Sequence, residues 1–254
     1  MTFLYGILRS NLKRAFLSVW FPASVLAAAA MCCLCAWDYM DRGANPVYLV
    51  DIMLNLGMLK KVLVFFAAVP FVTVYCQDFN SGYIHSLVVR SNARKYAWSD
   101  VLVCALSGFS AVFFGILVFF AVLSFVYPVQ PYETPDVYGS IAWNSPVLYA
   151  GILSFVFALY AAMWTVVGLT LSALLPDKYV ALGSPLILGY VFEELTAGLP
   201  AFLNLYSLSH NAAVFGQSPL LNFLYTLSIF VLVMAVSGWL FSRVVKRRSQ
   251  NEMG

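Results

Sequence analysis

Long stretches without a charged residue recur along this chain and are separated by short charged segments. The stretches free of Asp, Glu, Lys and Arg cover residues 15–37, 62–77, 101–132, 137–176, 179–192 and 195–242. A helix that crosses a membrane needs about 20 predominantly apolar residues. With the Gly- and Pro-rich segments taken as breaks, the pattern predicts an all-α integral membrane protein. It forms a single transmembrane domain over residues 1–254, with spans at about 15–37, 60–77, 99–126, 147–174, 179–196 and 220–242.

The first residues predict a helix that lies along the membrane rather than across it. Over residues 2–14 and into the first span, one helical stripe is apolar and the basic residues lie mostly on the other side; the stripe is Leu4, Leu8, Leu12 and Phe16. A basic amphipathic helix of this kind is typical of a membrane surface; the alternative is a solvated N-terminal turn. The apolar stretch 15–37 is longer than the roughly 7–15 residues of a signal peptide, which favours an uncleaved span.

Composition strengthens the membrane assignment. The 254 residues are 62% hydrophobic and only 10% charged, and the mean hydropathy is +0.86. A soluble domain is about 25% charged, so this chain has too few charges to cover the surface of a soluble globule. The net charge is only +3, and most basic residues flank the predicted spans, so a nucleic-acid partner is not expected.

The distribution of basic residues predicts the orientation. With six spans both termini lie on one side, and of the 14 basic residues only Arg42, Lys60 and Lys61 fall on the other. Because cytoplasmic loops carry an excess of Lys and Arg, we expect a multi-pass cell-membrane protein with both termini in the cytoplasm. Lys60 and Lys61 begin the shortest span, and their side chains are expected to snorkel to the outer interface.

The sequence contains no recognisable catalytic constellation. It has no phosphate loop, HExxH helix, GxSxG elbow or dinucleotide fingerprint. The five cysteines include no CxxC pair, and the two histidines, His85 and His210, fall on opposite sides of the predicted membrane. We therefore expect a chain that is not an enzyme and that holds no metal or cofactor of its own.

Two acidic residues lie near the end of the fifth predicted span. Glu193 and Glu194 follow Lys178 by about 15 residues, which places them roughly 22 Å along a helix, near the outer interface. Charged residues at such positions are costly and are often functional. They are candidates for lining an outer vestibule, and wetting at the head-group level is the alternative.

The loop between the second and third predicted spans carries the most information. Gly82 is expected to end the incoming helix, because glycine adopts backbone angles that other residues resist. Ile84, Leu87 and Val88 then follow at the i, i+3, i+4 spacing that gives a helix an apolar face. The pattern predicts a short amphipathic helix over about 82–91, and an apolar face in the cytoplasm requires a partner surface.

This loop resembles that of the membrane subunits of type-2 ATP-binding-cassette exporters. Their loop typically has an acidic residue, a Gly four positions on, a leucine-rich turn and a basic-aromatic stretch that enters the third span. The matching residues are Asp78, Gly82, Leu87, Arg90, Arg94 and Tyr96. The six spans, the N-terminal interfacial helix and the cytoplasmic termini are similar too. Ser91-Asn92 stands where a proline is common in this family, and Asp100 stands where a lysine is common. These two departures bear on the assignment to a subfamily more than on the assignment to the family.

The resemblance implies a division of labour. A separate cytoplasmic subunit would bind ATP and Mg²⁺, and the helix over 82–91 would be the coupling helix that docks on it, with Asp78, Arg90 and Arg94 in support. Two membrane subunits, identical or closely related, would pair in the bilayer and export an amphiphile such as an antimicrobial peptide, a lipid-like molecule or a drug. The segment 198–219 would fold back into the outer leaflet, unless it is an ordinary outer loop.

Two other classes of function are open at this stage. A secondary carrier or channel would need no ATPase, but the first four predicted spans have no charged residue at their centres. A membrane scaffold or an enzyme subunit would need no transport path.

Overall fold

The computed structural model describes residues 2–40, 45–56, 60–83, 93–210, 213–214, 216 and 218–251. Every regular element in these ranges is a helix, and none of these residues is in a strand. The α-helices are α1 (Thr2–Phe16), α2 (Trp20–Ala36), α3 (Pro46–Leu56), α4 (Lys61–Ala68), α5 (Val74–Asn80), α6 (Ala93–Val126), α7 (Gly139–Asn144), α8 (Pro146–Leu174), α9 (Lys178–Thr196), α10 (Leu205–Ser209) and α11 (Pro219–Asn251). A short 3₁₀ turn, Trp37–Tyr39, extends α2.

Four of these helices are long and apolar enough to cross a membrane. They are α2 with its 3₁₀ extension, α6, α8 and α11. Because a bilayer core is about 30 Å thick, helices of this length and composition are explained by a membrane and not by a soluble core. The expectation of an all-α membrane protein is therefore confirmed, and the chain is membrane-embedded.

The second and fifth predicted spans have a less regular structure. The second is divided into α4 and α5 by turns at residues 69–73, where Pro70 removes a backbone donor and interrupts the helix. The fifth is α9, a continuous helix that contains Pro185 and carries two glutamates in its last turn. The two segments lie side by side: α4 begins beside the end of α9, where Lys61 contacts Glu193, and α5 lies beside the start of α9, where Cys76 donates to the carbonyl of Asp177.

The middle of the bundle is α8. In its most apolar stretch 78% of the residues are buried, against 17% in α11. Small residues allow close contact of the helix backbones. A Cβ on Gly168 would lie 2.6 Å from Pro185 of α9, and one on Gly115 of α6 would lie 2.6 Å from Ala28 of α2. The bundle is therefore built around α8, and one side of α11 is left exposed.

The two ends of the bundle differ in charge. What we call the basic end is formed by α1, the end of α5, the start of α6, the end of α8 and the end of α11. There Arg14 contacts Asp78, and Arg248 donates to the carbonyl of Leu174. What we call the acidic end is formed by α3, the start of α4, the loop 127–145 and the end of α9. Asp51 and Glu193 are buried there.

Candidate functional site

The turn predicted at Gly82 is present. Helix α5 ends at Asn80, Gly82 has φ of +70°, and its N–H donates to the carbonyl of Phe79 at 3.1 Å. A glycine in the left-handed region just past a helix end is a common C-terminal cap. The prediction that Gly82 ends the incoming helix is confirmed. Ile84, Leu87, Val88 and Arg90 lie outside the described residues, so the helix over 82–91 stays a prediction.

The predicted coupling role of Asp78 suggests a side chain that faces a partner, but the Asp78 side chain faces the interior of the bundle. Its side chain is 5% exposed and accepts two hydrogen bonds from the Arg14 guanidinium, at 2.8 and 3.1 Å. The Tyr96 hydroxyl donates to the same carboxylate at 3.1 Å. The hydrogen bonds to Asp78 raise the pKa of Arg14 above its ordinary value. Asp78 thus joins α5 to both α1 and α6.

A second polar contact fixes α1 to α6. The side-chain amide of Asn11 donates to Asp100 at 2.6 Å and to Ser99 at 3.2 Å, and Asp100 is fully buried. Together with Arg14, Asp78 and Tyr96, these residues form what we call the α1–α5–α6 junction. The alternative of a solvated N-terminal turn is wrong, because α1 is a 15-residue helix packed on the bundle.

Sequence reasoning missed most of this junction, although it left signals. Arg14 was one of several basic residues near the N-terminus, and nothing local indicated which of them pairs with Asp78. Asp100 stood out as a departure from the family pattern, and the structure supplies its partner, Asn11. Arg94, the remaining predicted coupling residue, is exposed in the first turn of α6 and lines a pocket with the end of α11.

Glu193 and Glu194 have different environments. Glu193 is 3% exposed; its carboxylate lies 2.8 Å from the Lys61 ammonium and accepts a hydrogen bond of 2.8 Å from the Tyr160 hydroxyl of α8. Glu194 is exposed. Wetting at the head-group level is wrong for Glu193, which joins the start of α4 to α8 and α9, and stays a prediction for the exposed Glu194.

Lys60 does not snorkel to the surface, contrary to expectation. It is 3% exposed, and its ammonium donates to the carbonyl of Leu54 and contacts Nε2 of His210. Burial and the Lys60 charge lower the pKa of His210 to about 3. The imidazole is therefore neutral, with Nε2 accepting from Lys60 and Nδ1–H donating to the carbonyl of Tyr206 at 2.6 Å. The segment after α9 folds back to cover Lys60.

A groove lies beside Lys61 on the outside of α9. It has a volume of about 350 Å³ and apolar walls from Leu186, Ile187 and Val191, with Lys61 over the ring of Tyr190 at 4.2 Å from the ring centroid. Because the Lys61 charge is matched by Glu193, the groove presents mainly apolar surface. It combines an apolar wall with one ion pair, which suits an amphiphile better than a small ion.

A further buried acid at the acidic end was not expected. Asp51 of α3 is 6% exposed and accepts from Asn55 at 2.6 Å, from Tyr132 at 3.0 Å and from Tyr149 at 3.2 Å. The Tyr149 hydroxyl also lies 3.0 Å from Asp136. Burial, and then the Asp136 charge, raise the pKa of Asp51. One hydroxyl between two carboxylates ties α3 to the loop before α8.

Comparisons with known proteins add no relative. No protein-family model, curated protein or solved structure matches this chain. Within the described ranges, no group of three or more His, Cys, Asp or Glu side chains is placed to hold a metal ion.

Proposed function

We propose that this chain is the membrane permease subunit of an ATP-driven exporter of the type-2 ATP-binding-cassette class. The observation that carries the proposal is the anchoring of the loop between α5 and α6. Its first helix ends at Gly82, and Asp78, one turn earlier, is held by Arg14 of α1 and Tyr96 of α6. A force applied to this loop reaches three membrane-proximal helices at once, which is what a coupling element requires.

The six-span topology supports the same proposal. Segments α4–α5 and α9 join α2, α6, α8 and α11 as the six spans. From Lys61 to Asn80 there are 20 residues, enough for about 30 Å of helix, although Pro70 interrupts it. The basic end then lies in the cytoplasm by the positive-inside rule. The acidic end, with Asp51 and Glu193, lies outside.

The topology has a direct test. In a chain with its five cysteines replaced, a single cysteine at position 94 is expected to resist a membrane-impermeant thiol reagent in intact cells. A single cysteine at position 136 is expected to react, because the loop 127–145 lies at the opposite end of the bundle. Permeabilised cells are the control, in which position 94 reacts as well. Labelling of position 94 from outside would contradict the six-span orientation.

ATP would be handled by a partner. The chain has no phosphate-loop motif, so ATP and Mg²⁺ belong to a cytoplasmic ATPase subunit, and two permease chains pair with two such subunits. Amphiphilic cargo is consistent with the apolar groove beside Lys61 and with the exposed apolar side of α9. Candidate cargoes are an antimicrobial peptide, a lipid-like molecule or a hydrophobic drug.

A secondary carrier is the second candidate, and one observation favours it. The buried Lys60 and Glu193, with the partly buried Lys61, place ionisable side chains next to membrane helices, where coupling ions are often handled. Transport by purified chain in proteoliposomes, driven by a proton gradient without any ATPase, would identify this class. Transport that requires the ATPase and ATP identifies the exporter.

The coupling prediction rests on the apolar face over 82–91. Replacing Leu87 and Val88 together by Asp is expected to abolish co-purification of the ATPase and ATP-dependent export. Burial of each aliphatic side chain contributes on the order of 1.5–3 kcal/mol, and the new charges oppose docking. The measurements are pull-down of the ATPase, vanadate-sensitive hydrolysis by the complex and export.

The matched control keeps the apolar face. Leu87→Ile with Val88→Ile should retain the ATPase, while both double variants should reach normal membrane levels. Hydrolysis of ATP by the permease alone, or wild-type binding by the double Asp variant, would contradict the proposal.

A further inference from the structure

The start of α6 and the end of α11 enclose a basic pocket at the basic end of the bundle. The pocket has a volume of about 480 Å³, and its described lining consists of Val244 and four cations, Arg94, Arg243, Lys246 and Arg247. None of these described lining residues is acidic. Four cations converge here from two different helices, which is an arrangement that recognises a multivalent anion such as a phosphate group.

Each helix continues from the pocket into an exposed apolar surface. On α6, Arg94 is followed at four-residue intervals by Trp98, Leu102 and Leu106, and the two leucines are about half exposed, at 52% and 50%. Residues spaced by four lie on one helix face. The α6 stripe therefore runs from a cation at the end of the bundle directly to apolar surface at membrane depth.

The α11 stripe has the same order. Val236 and Leu240 are exposed, at 51% and 43%, and they lie on the face that carries Arg243 and Arg247. Trp239 is 43% exposed, and the Arg243 guanidinium lies 3.9 Å from its ring centroid. A Trp beside a basic side chain is typical of the membrane–water interface. The boundary between the polar and apolar parts of the surface thus falls at Trp239.

The two stripes belong to one surface. The helices touch at Gly238, where a Cβ would lie 2.9 Å from Val101 of α6. This contact is immediately above the basic pocket, since Gly238 precedes Arg243 by little more than one helical turn. The exposed surfaces of α6 and α11 therefore meet in a shallow seam that leads out of the pocket.

We propose that this seam binds an anionic phospholipid, with its phosphate head group in the pocket between Arg94 and Arg247 and its acyl chains along the stripes of α6 and α11. The charge complementarity selects an anionic head group, because four of the five described lining residues are cationic. The continuous apolar surface selects a lipid over a soluble anion, because a soluble anion has no acyl chain to cover that surface. Basic pockets between membrane helices on the cytoplasmic side are known to hold such head groups.

The test uses the purified full-length chain in neutral detergent, without any ATPase. Short-chain phosphatidylglycerol, short-chain phosphatidylcholine, glycerol phosphate and inorganic phosphate are titrated separately, and binding is followed by native mass spectrometry. We expect phosphatidylglycerol to bind at least about tenfold more tightly than phosphatidylcholine, because a basic side chain near an anionic head group contributes roughly fivefold. The two soluble phosphates should bind far more weakly, because they lack acyl chains.

The variant Arg243→Gln with Arg247→Gln should weaken phosphatidylglycerol binding by about 30-fold, as two such contributions multiply. Both side chains are exposed, so the variant should keep the elution volume and melting temperature of the wild type. The matched control, Arg9→Gln with Lys13→Gln, removes the same charge from exposed positions on α1 and should leave binding within twofold.

Three outcomes would overturn the proposal. Equal loss in the control variant would show that binding follows the overall charge. Equal binding of inorganic phosphate would show a site for free anions. Binding of an acidic peptide that depends on Arg243 and Arg247 and is unaffected by lipid would show a protein-docking surface. Because no ATPase is present, failure here leaves the exporter proposal intact, and failure of that proposal leaves this one intact.

Discussion

Replacing Arg14 with Met should lower the free energy of unfolding by about 3 kcal/mol, at the lower end of the range for buried ion pairs that lose one partner. The Asp78 side chain is only 5% exposed and would keep a single described donor, Tyr96. The Arg14 side chain is 34% exposed, so the pair is partly screened and the upper end of the range is not expected. For a chain of this size the melting midpoint should fall by about 6–12 °C.

Thermal unfolding in detergent, followed by size-exclusion fluorescence, measures this effect. Arg9→Met is the matched control, because Arg9 is exposed on the same helix, and it should melt within about 1–2 °C of the wild type. Arg14→Met combined with Asp78→Asn should recover part of the loss, since the buried charge is gone. Equal melting of the Arg14 and Arg9 variants would show that the junction does not hold α1.

Replacing Glu193 with Gln should have an even larger effect, about 3–5 kcal/mol. Lys61 would lose its carboxylate partner, and Lys60, which is 3% exposed, would lose the only opposite charge described near it. A buried ammonium group on Lys60 and a partly buried one on Lys61 would then be left without this counter-charge. Tyr160 would keep an acceptor in the Gln carbonyl, so the variant isolates the loss of charge.

Glu194→Gln is a closely matched control. It makes the same chemical change one residue away, at an exposed position, and should alter the free energy of unfolding by no more than about 0.5 kcal/mol. Lys61→Met with Glu193→Gln should be more stable than Glu193→Gln alone, because one of the uncompensated charges is removed. A Glu193 variant that melts like the Glu194 variant would show that the ion pair contributes nothing to folding.

The two networks also bear on transport. The α1–α5–α6 junction lies at the end where the ATPase would dock, and the Lys61–Glu193 pair lies at the end from which cargo would leave. In the exporter proposal, a variant of the first should uncouple ATP hydrolysis from export, whereas a variant of the second should reduce both together by weakening the fold.

The sequence by itself determined the membrane character, the helical class and the place where α5 ends. Charge-free runs are long enough to be read without tertiary information, because a bilayer requires about 20 apolar residues from each span regardless of its neighbours. Gly82 was identified for a similar reason: the backbone angle at a helix end is a local property, and the observed φ is +70°.

Only the tertiary structure decided how the charged residues pair. Arg14 and Asp78 are 64 residues apart in the sequence. Lys61 lies at the start of α4, whereas its partner Glu193 lies near the end of α9. Local sequence carries no record of such partners. The local sequence predicted that Lys60 snorkels to the surface, but Lys60 is buried. It also predicted one role for Glu193 and Glu194, which differ in burial. Whether a charge is wetted or paired depends on which helix packs over it, and that is set by the contacts of the whole bundle.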